Sequence, residues 1–319
     1  MTNPSENTES NNKGSEIILR PYQFCNLTEA VVRPKDLFKE LAEKVEIATI
    51  LGTFQSTLTH FPYLRKIWKQ NTEEERLLGV SLTGILDNLE LYKGSINLGK
   101  LRDVAIQTNK EYAKLLSINP STAITCTKPS GTVSQLVDSA SGIHTRHSEY
   151  YIRSVRADNK DPLTTFLKDA GVPWEADVMK PDQTSVFYFP IKSPKGALTR
   201  DSLTAVEHLE IWKKFQEDWC EHKPSITVTV KENEWPEVGA WVYNNFDLIS
   251  GVSFLPHSDH TYRQAPYQEC TKEEYEDLKS KMPKEIRWQD LSHYEMEDNT
   301  AGLQTLACSA DGCEVVDLT

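Results

Sequence analysis

The chain is 319 residues long and 38% hydrophobic, enough for a sizeable core in one large domain or two smaller ones. Its formal charge of -12 is spread over many Asp and Glu without a basic stripe, which argues against a nucleic-acid partner and leaves any phosphorylated ligand to a local site. No run is apolar enough for a membrane span or a signal peptide, and six cysteines are too few for a disulfide scaffold, so the expected compartment is the cytoplasm.

Residues 1–14 (MTNPSENTESNNKG) hold no hydrophobic residue after Met1 and are expected to be a flexible leader. From Asp36 to Leu58, helical spacing of Leu37, Leu41, Val45, Ala48 and Leu51 predicts a helix, and Thr72 with Glu75 forms a capping-box pattern that predicts the start of another. The apolar run GVSLTGIL (79–86) reads as a buried strand, Leu101 to Leu116 as a helix, STAITCT (121–127) as a strand, and KPSGTVS (128–134) as a strand-to-helix turn.

Further on, EYYIRSVR (149–156) and TSVFYFPI (184–191) read as strands flanking a helix near Leu163 to Ala170. A long amphipathic stretch from Ser202 to Cys220 leads to the β-branched strand SITVTV (225–230), a helix from Trp235 to Asn245, the short strand GVSFL (251–255) and a charged helix from Lys272 to Lys281. This alternation predicts an α/β fold with largely parallel pairing, followed from about Ser292 by a mobile tail ending CSADGCEVVDLT.

Four groups of residues could carry chemistry. Cys308 and Cys313 are two thiols on the expected tail, able to form a disulfide and be reduced again by exchange, or else incidental exposed thiols or half of a metal site. KPSGTVS sets Pro129, Ser130, Gly131, Thr132 and Val133 where a strand feeds a helix, which suits an anion but is also the composition of an ordinary N-cap turn. Glu16 and Cys25 flank the segment ILRPYQF, where a carboxylate and a thiol could serve acid/base and redox steps, or be a surface acid and a core cysteine. The pairs His144/His147 and His257/His260 lack a third ligand, so no metal site is assigned; Arg153 and Arg156, three apart, do not share one face of a regular strand.

Taken in order, EIILRPYQFCNLTE (16–29), KPSGTVS, GIH with YYIRSVR (142–156) and the terminal C-x4-C resemble the landmarks of a ribonucleotide reductase large chain. ATILGTFQSTLTHFPYLRKIW (48–68) and FLPHSDHTYRQAPYQE (254–269) are similar to the adenosylcobalamin-dependent, class II branch, and the resemblance runs from Ser15 to Thr319. It implies the second half of a ten-stranded α/β barrel over 15–291, with a redox tail over 292–319.

By that resemblance Glu16 takes the proton of the ribose 3′-hydroxyl, and Cys25 is one of two thiols that reduce the 2′ carbon. Pro129 to Val133 bind the phosphates of a ribonucleotide, and Cys308 with Cys313 re-reduces the active-site disulfide at the expense of an external dithiol such as thioredoxin. The implied cofactor is adenosylcobalamin.

The sequence departs from the family where the thiyl radical is held. Two residues before Glu16 stands Gly14, with Asn12 at the preceding Asn of the motif; an alternative alignment through Asn3-Pro4-Ser5 supplies Ser5 and no thiol. The other reducing cysteine and the nucleotide-sensing region belong to a first half that is absent here, so the expectation is one piece of a split reductase, inactive alone and completed by an N-terminal partner chain. The alternatives are an inactive fragment that retains phosphate binding, and the tyrosyl-radical class, whose paired relay tyrosines stand just before the tail whereas Tyr150-Tyr151 lies far upstream.

Overall fold

The computed structural model describes residues 17–257 and 263–295, and these form two compact units, one of 17–146 with 196–257 and the other of 147–195 with 263–295. Glu16, Gly14, His260, Cys308 and Cys313 lie outside the described residues. Among the described residues no helix is long and apolar enough to cross a membrane.

In chain order the first unit contains β1 (Asn26–Val31), α1 (Phe38–Gln55), α2 (Lys66–Glu75), β2 (Leu78–Thr83), the single turn α3 (Leu89–Tyr92), α4 (Leu98–Leu115), β3 (Thr125–Cys126) and the single turn α5 (Val133–Leu136). After the second unit's β4 (Tyr150–Asp158), α6 (Pro162–Asp169), β5 (Trp174–Ala176) and β6 (Thr184–Lys192), it resumes with α7 (Ala205–Asp218), β7 (Ile226–Val230), α8 (Trp235–Asn244) and β8 (Val252–Pro256). β9 (Tyr267–Glu269) and α9 (Lys272–Lys281) complete the second unit.

β1, β2 and β3 pair in parallel in that order, β7 pairs in parallel with β8, and a parallel bridge from Thr127 to Pro224 joins the two groups. The result is one open row of parallel strands, each joined to the next by the helical crossover that parallel pairing requires. β2, at the centre of its sheet, is buried at every position, as the continuous apolar run suggested.

Helices cover one face of this row. Gly52 of α1 approaches Leu78 and Thr28, while Leu209, Trp212 and Phe215 of α7 join Ile226, Val228 and Val230 in the main core. The two fully buried indoles among the described residues satisfy their N–H groups on backbone carbonyls, Trp212 on Pro224 at 2.7 Å and Trp219 on Cys126 at 2.8 Å. The opposite face carries the alternate residues Leu27 and Gly79, together with Cys126 and the overlying Ile17.

Two helix readings change in detail. The buried stripe of α1 is Leu41, Val45, Ala48, Thr49, Gly52 and Thr53, whereas Leu37 and Leu51 are exposed. The threonines are tolerated inside because Thr49 and Thr53 donate their hydroxyls to the carbonyls four residues back, each at 2.7 Å. Thr72 does not open a helix: it lies inside α2, which ends at Arg76 in the left-handed conformation (φ 45°).

The second unit corrects the expectation of largely parallel pairing. Its sheet has the order β5-β6-β4-β9 and is antiparallel throughout, with Tyr150 opposite Lys192 and Asp158 opposite Thr184. The loop between β5 and β6 is too short for a crossover, which forces an antiparallel hairpin. Arg153 stacks over the Tyr267 ring at 4.3 Å and Arg156 donates to Asp177 at 2.8 Å, so each guanidinium has its own partner.

Candidate functional site

Cys25 directly precedes β1, and the two-residue period of the strand puts Leu27 and Glu29 on its side, away from the helices. Its surroundings are the small cluster of Ile17, Leu77, Cys126 and Ala123. Cys25 is half-buried, and its desolvation pushes the thiol up to about 12, with the Asn26 backbone hydrogen bond acting in the opposite direction. Ile17, the residue after Glu16 in sequence, is thereby packed in the same cluster as Cys25.

Cys126 shares this face but is no disulfide partner for Cys25. Cys126 is in register with Ser81, and Ser81 with Glu29, four residues beyond Cys25. That offset is about 13 Å along the strands and about 10 Å across two strand spacings, far outside the Cα separation a disulfide allows. Cys220 lies in the main core against Thr127 Oγ1 at 3.7 Å, and burial raises its thiol as well.

The PSGT turn stands at the other end of the same face. Ser130 is buried and fully engaged: its N–H donates to Ser141 Oγ at 2.8 Å, its hydroxyl donates to Glu29 Oε2 at 2.9 Å, and its Oγ accepts the Ser134 N–H at 3.1 Å. The Ser134 hydroxyl donates to the Ser130 carbonyl. Gly131, Thr132 and Val133 are exposed, and their amides meet no acceptor among the described residues. Of the five residues read as an anion site, Ser130 is therefore the anchor, Gly131 to Val133 offer the open donors, and Pro129, which has no N–H, leads into the turn.

The following loop is tied to the end of β2. Gly84 N–H donates to Ala140 O at 2.8 Å, Ala140 N–H to Asp87 Oδ2 at 2.9 Å, and Gly142 N–H to Thr83 Oγ1 at 2.9 Å. Arg146, 4% exposed, forms a forked pair with Asp87, at 2.9 Å through Nε and 2.8 Å through Nη2, and reaches the Asp138 carboxylate at 2.8 Å. Arg33 adds a bond of 2.6 Å to the Val137 carbonyl.

Of the motif histidines His144 serves this scaffold, together with His208 of α7. His144 accepts the Thr227 N–H on Nε2 at 3.0 Å and therefore donates from Nδ1 to Ser141 O at 2.9 Å; burial holds its pKa below the usual imidazole value. His208 contacts Ile143 O through Nε2 at 2.9 Å and is pushed down to about 4 by burial. Among the described residues no group of His, Cys, Asp or Glu is arranged to hold a metal ion.

Sequence reading missed Glu29, Asp87, Arg146 and Ser141. Only Glu29 carried a usable signal, since a residue four beyond Cys25 on a strand shares its face.

No family model matches the chain. Curated relatives do: an adenosylcobalamin-dependent ribonucleoside-triphosphate reductase of Lactobacillus delbrueckii subsp. bulgaricus is 26% identical over 301 residues, covering 84% of this chain and 40% of the relative. A probable enzyme of the same name from Dictyostelium discoideum is 28% identical over 314 residues, covering 94% and 39%, and one from Euglena gracilis is 27% identical over 277 residues, covering 84% and 37%. The crystal structure of a B-12 dependent (class II) ribonucleotide reductase shares the fold with a TM-score of 0.74 at 24% identity, over 88% of this chain and 43% of that one. The chain spans about two fifths of the length of the curated relatives it matches. Over most of its length it is thus similar to part of an adenosylcobalamin-dependent (class II) ribonucleotide reductase, the family its ordered motifs resemble.

Proposed function

We propose that the chain is the C-terminal portion of a ribonucleotide reductase that converts ribonucleotides to 2′-deoxyribonucleotides, completed by an N-terminal partner chain. The observation that carries this reading is the shared face of one parallel sheet, with a half-buried thiol at one end and a turn of open amides at the other. Cys25 and Glu29 are about 13 Å apart along β1, a span suited to a nucleotide with its ribose toward the thiol and its phosphates toward Gly131, Thr132 and Val133.

Cys25 supplies one of two thiols. Burial keeps it in the S–H form, the form that can give up hydrogen. The overall change is balanced: two thiols become a disulfide, the ribose 2′ C–O bond is replaced by C–H, and the oxygen leaves as water. Since Cys126 is out of reach, the second thiol comes from the partner chain. Cys308 and Cys313 then restore the dithiol and are themselves reduced by a thioredoxin-like protein. Glu16 receives the 3′-hydroxyl proton.

The row of parallel strands supports its assignment as half of a ten-stranded barrel, with β1 paired on one side only among the described residues. Adenosylcobalamin enters through the names of the relatives and would supply the radical. Among the described residues, His144, His208 and His222 use ring nitrogens on backbone groups, and no metal-binding group is present, so no residue is assigned to the cofactor and no step is derived through it.

The reading is tested by assaying the purified chain with adenosylcobalamin, a ribonucleoside triphosphate and a dithiol, alone and with the N-terminal reductase chain of the same genome. No deoxyribonucleotide is expected from the chain alone, and product is expected from the mixture. Turnover by the chain alone overturns the split. A chain that neither binds a partner nor gains activity is the inactive phosphate-binding fragment, the reading that Gly14 at the radical position favours.

A further inference from the structure

Among the described residues Glu29 is the one carboxylate hydrogen-bonded to the PSGT turn, and its place there is unusual. An acid beside a turn of open amides opposes the binding of an anion by charge. Yet Oε2 of Glu29 accepts the hydroxyl of Ser130 at 2.9 Å, while Oε1 is buried and meets no hydrogen-bond donor among the described residues. The carboxylate is thus committed to one visible task, holding Ser130.

That task reaches the amides. With its proton directed to Glu29, the Ser130 oxygen is free to accept the Ser134 N–H at 3.1 Å, and this bond, with that of the Ser134 hydroxyl to the Ser130 carbonyl, closes residues 130–134 into a fixed turn. The Thr132 and Val133 carbonyls accept the Leu136 and Val137 N–H groups at the end of α5, but among the described residues no hydrogen bond reaches the exposed segment from outside this turn, and a Cβ added at Gly131 would meet no atom within 4 Å. The shape of the Gly131–Val133 donors therefore depends on the Ser130 anchor.

We propose that Glu29 is a positioning residue for phosphate binding: through Ser130 it fixes the three open amides and couples them to the strand that carries Cys25, at the cost of an adverse charge. This inference rests on the PSGT turn being the phosphate site. It gives Glu29 two opposed effects, and two substitutions separate them.

Glu29→Gln keeps an oxygen acceptor for the Ser130 hydroxyl and removes the charge; Glu29→Ala removes both. The full chain is titrated by calorimetry with inorganic tripolyphosphate, and its thermal midpoint is recorded in parallel. Glu29→Gln should bind roughly threefold more tightly than the unaltered chain, and Glu29→Ala about fivefold more weakly. Ser130→Ala, which breaks the anchor from the other side and leaves the charge, should bind more weakly still. A purely electrostatic role would strengthen binding in both Glu29 variants and a purely structural one would not strengthen it in Glu29→Gln, so changes of the same sign, or none, overturn the inference. If Glu29→Ala does not fold, the opposite signs of Glu29→Gln and Ser130→Ala decide in its place. If the unaltered chain binds no tripolyphosphate, the phosphate turn itself is wrong and the inference falls with it, whereas binding that ignores Glu29 overturns only the inference.

Discussion

Just before β1 Cys25 packs, half-buried, against one side of a small apolar cluster that contains Ile17 and Leu77, whereas at the end of β2 the loop that follows the PSGT turn is held by Asp87, Arg146, Thr83 and Arg33. One end surrounds a half-buried thiol with apolar side chains, the other fixes a backbone with many polar bonds. The apolar end tunes a single atom and needs no directed contacts. The polar end has to shape a backbone, so most of its donors and acceptors are paired, while the amides of Gly131 to Val133 meet no acceptor among the described residues.

The contrast is broken most sharply at the thiol. With Cys25 raised to about 12 from an ordinary value near 9, its thiolate at pH 8 is about a thousandfold scarcer than that of an unfolded cysteine. Alkylation by iodoacetamide, read by peptide mass, should be slower at Cys25 by that order. Because the folded value is the higher one, the same burial costs stability as pH rises from about 9 toward 12. Labelling of Cys25 in the native chain at the rate of the denatured one would show that the apolar end does not exclude water.

At the polar end the largest loss is expected from Arg146→Ala. Arg146 and Asp87 are both nearly inaccessible, and removal of the guanidinium strands a buried carboxylate that also holds Ala140. The expected cost is about 3–5 kcal/mol in urea unfolding. Arg146→Lys should recover little of it, since an ammonium cannot make the forked contact with Asp87 and still reach Asp138. A loss within the range of a surface substitution would mean that the loop is not held by this pair.

How far each end was legible in the sequence follows from the same physics. Strands such as β2 and β7 announce themselves through runs and alternation, because burial acts on both faces of β2 and more strongly on one face of β7. Cys25 and the PSGT turn were found through ordered motifs. The partners that make them work were not: Asp87 follows an apolar run, Arg146 stands between two histidines, and nothing in local spacing reports that a carboxylate and a guanidinium 59 residues apart meet in the interior. The antiparallel second unit was misread for a related reason, since a strand-helix-strand pattern does not reveal the direction in which the later strand returns.

The smallest effect concerns the glycine that turns the loop. Gly142 has φ 55°, and a Cβ there would lie 2.6 Å from the Lys128 carbonyl oxygen, a backbone atom that cannot swing aside. Gly142→Ala should therefore cost about 1–3 kcal/mol, in contrast to Gly131→Ala, whose added Cβ meets nothing within 4 Å and whose cost should stay within about 0.5 kcal/mol. The pair separates shape from stability at the polar end, because Gly131 follows Ser130 and Gly142 follows Ser141, which accepts the Ser130 N–H, but only Gly142 is clamped between the end of β2 and the residues that lead into the turn. Equal costs in thermal unfolding would mean that the turn is held as rigidly at its open amides as at its base, and that Ser130 is not where its shape is set.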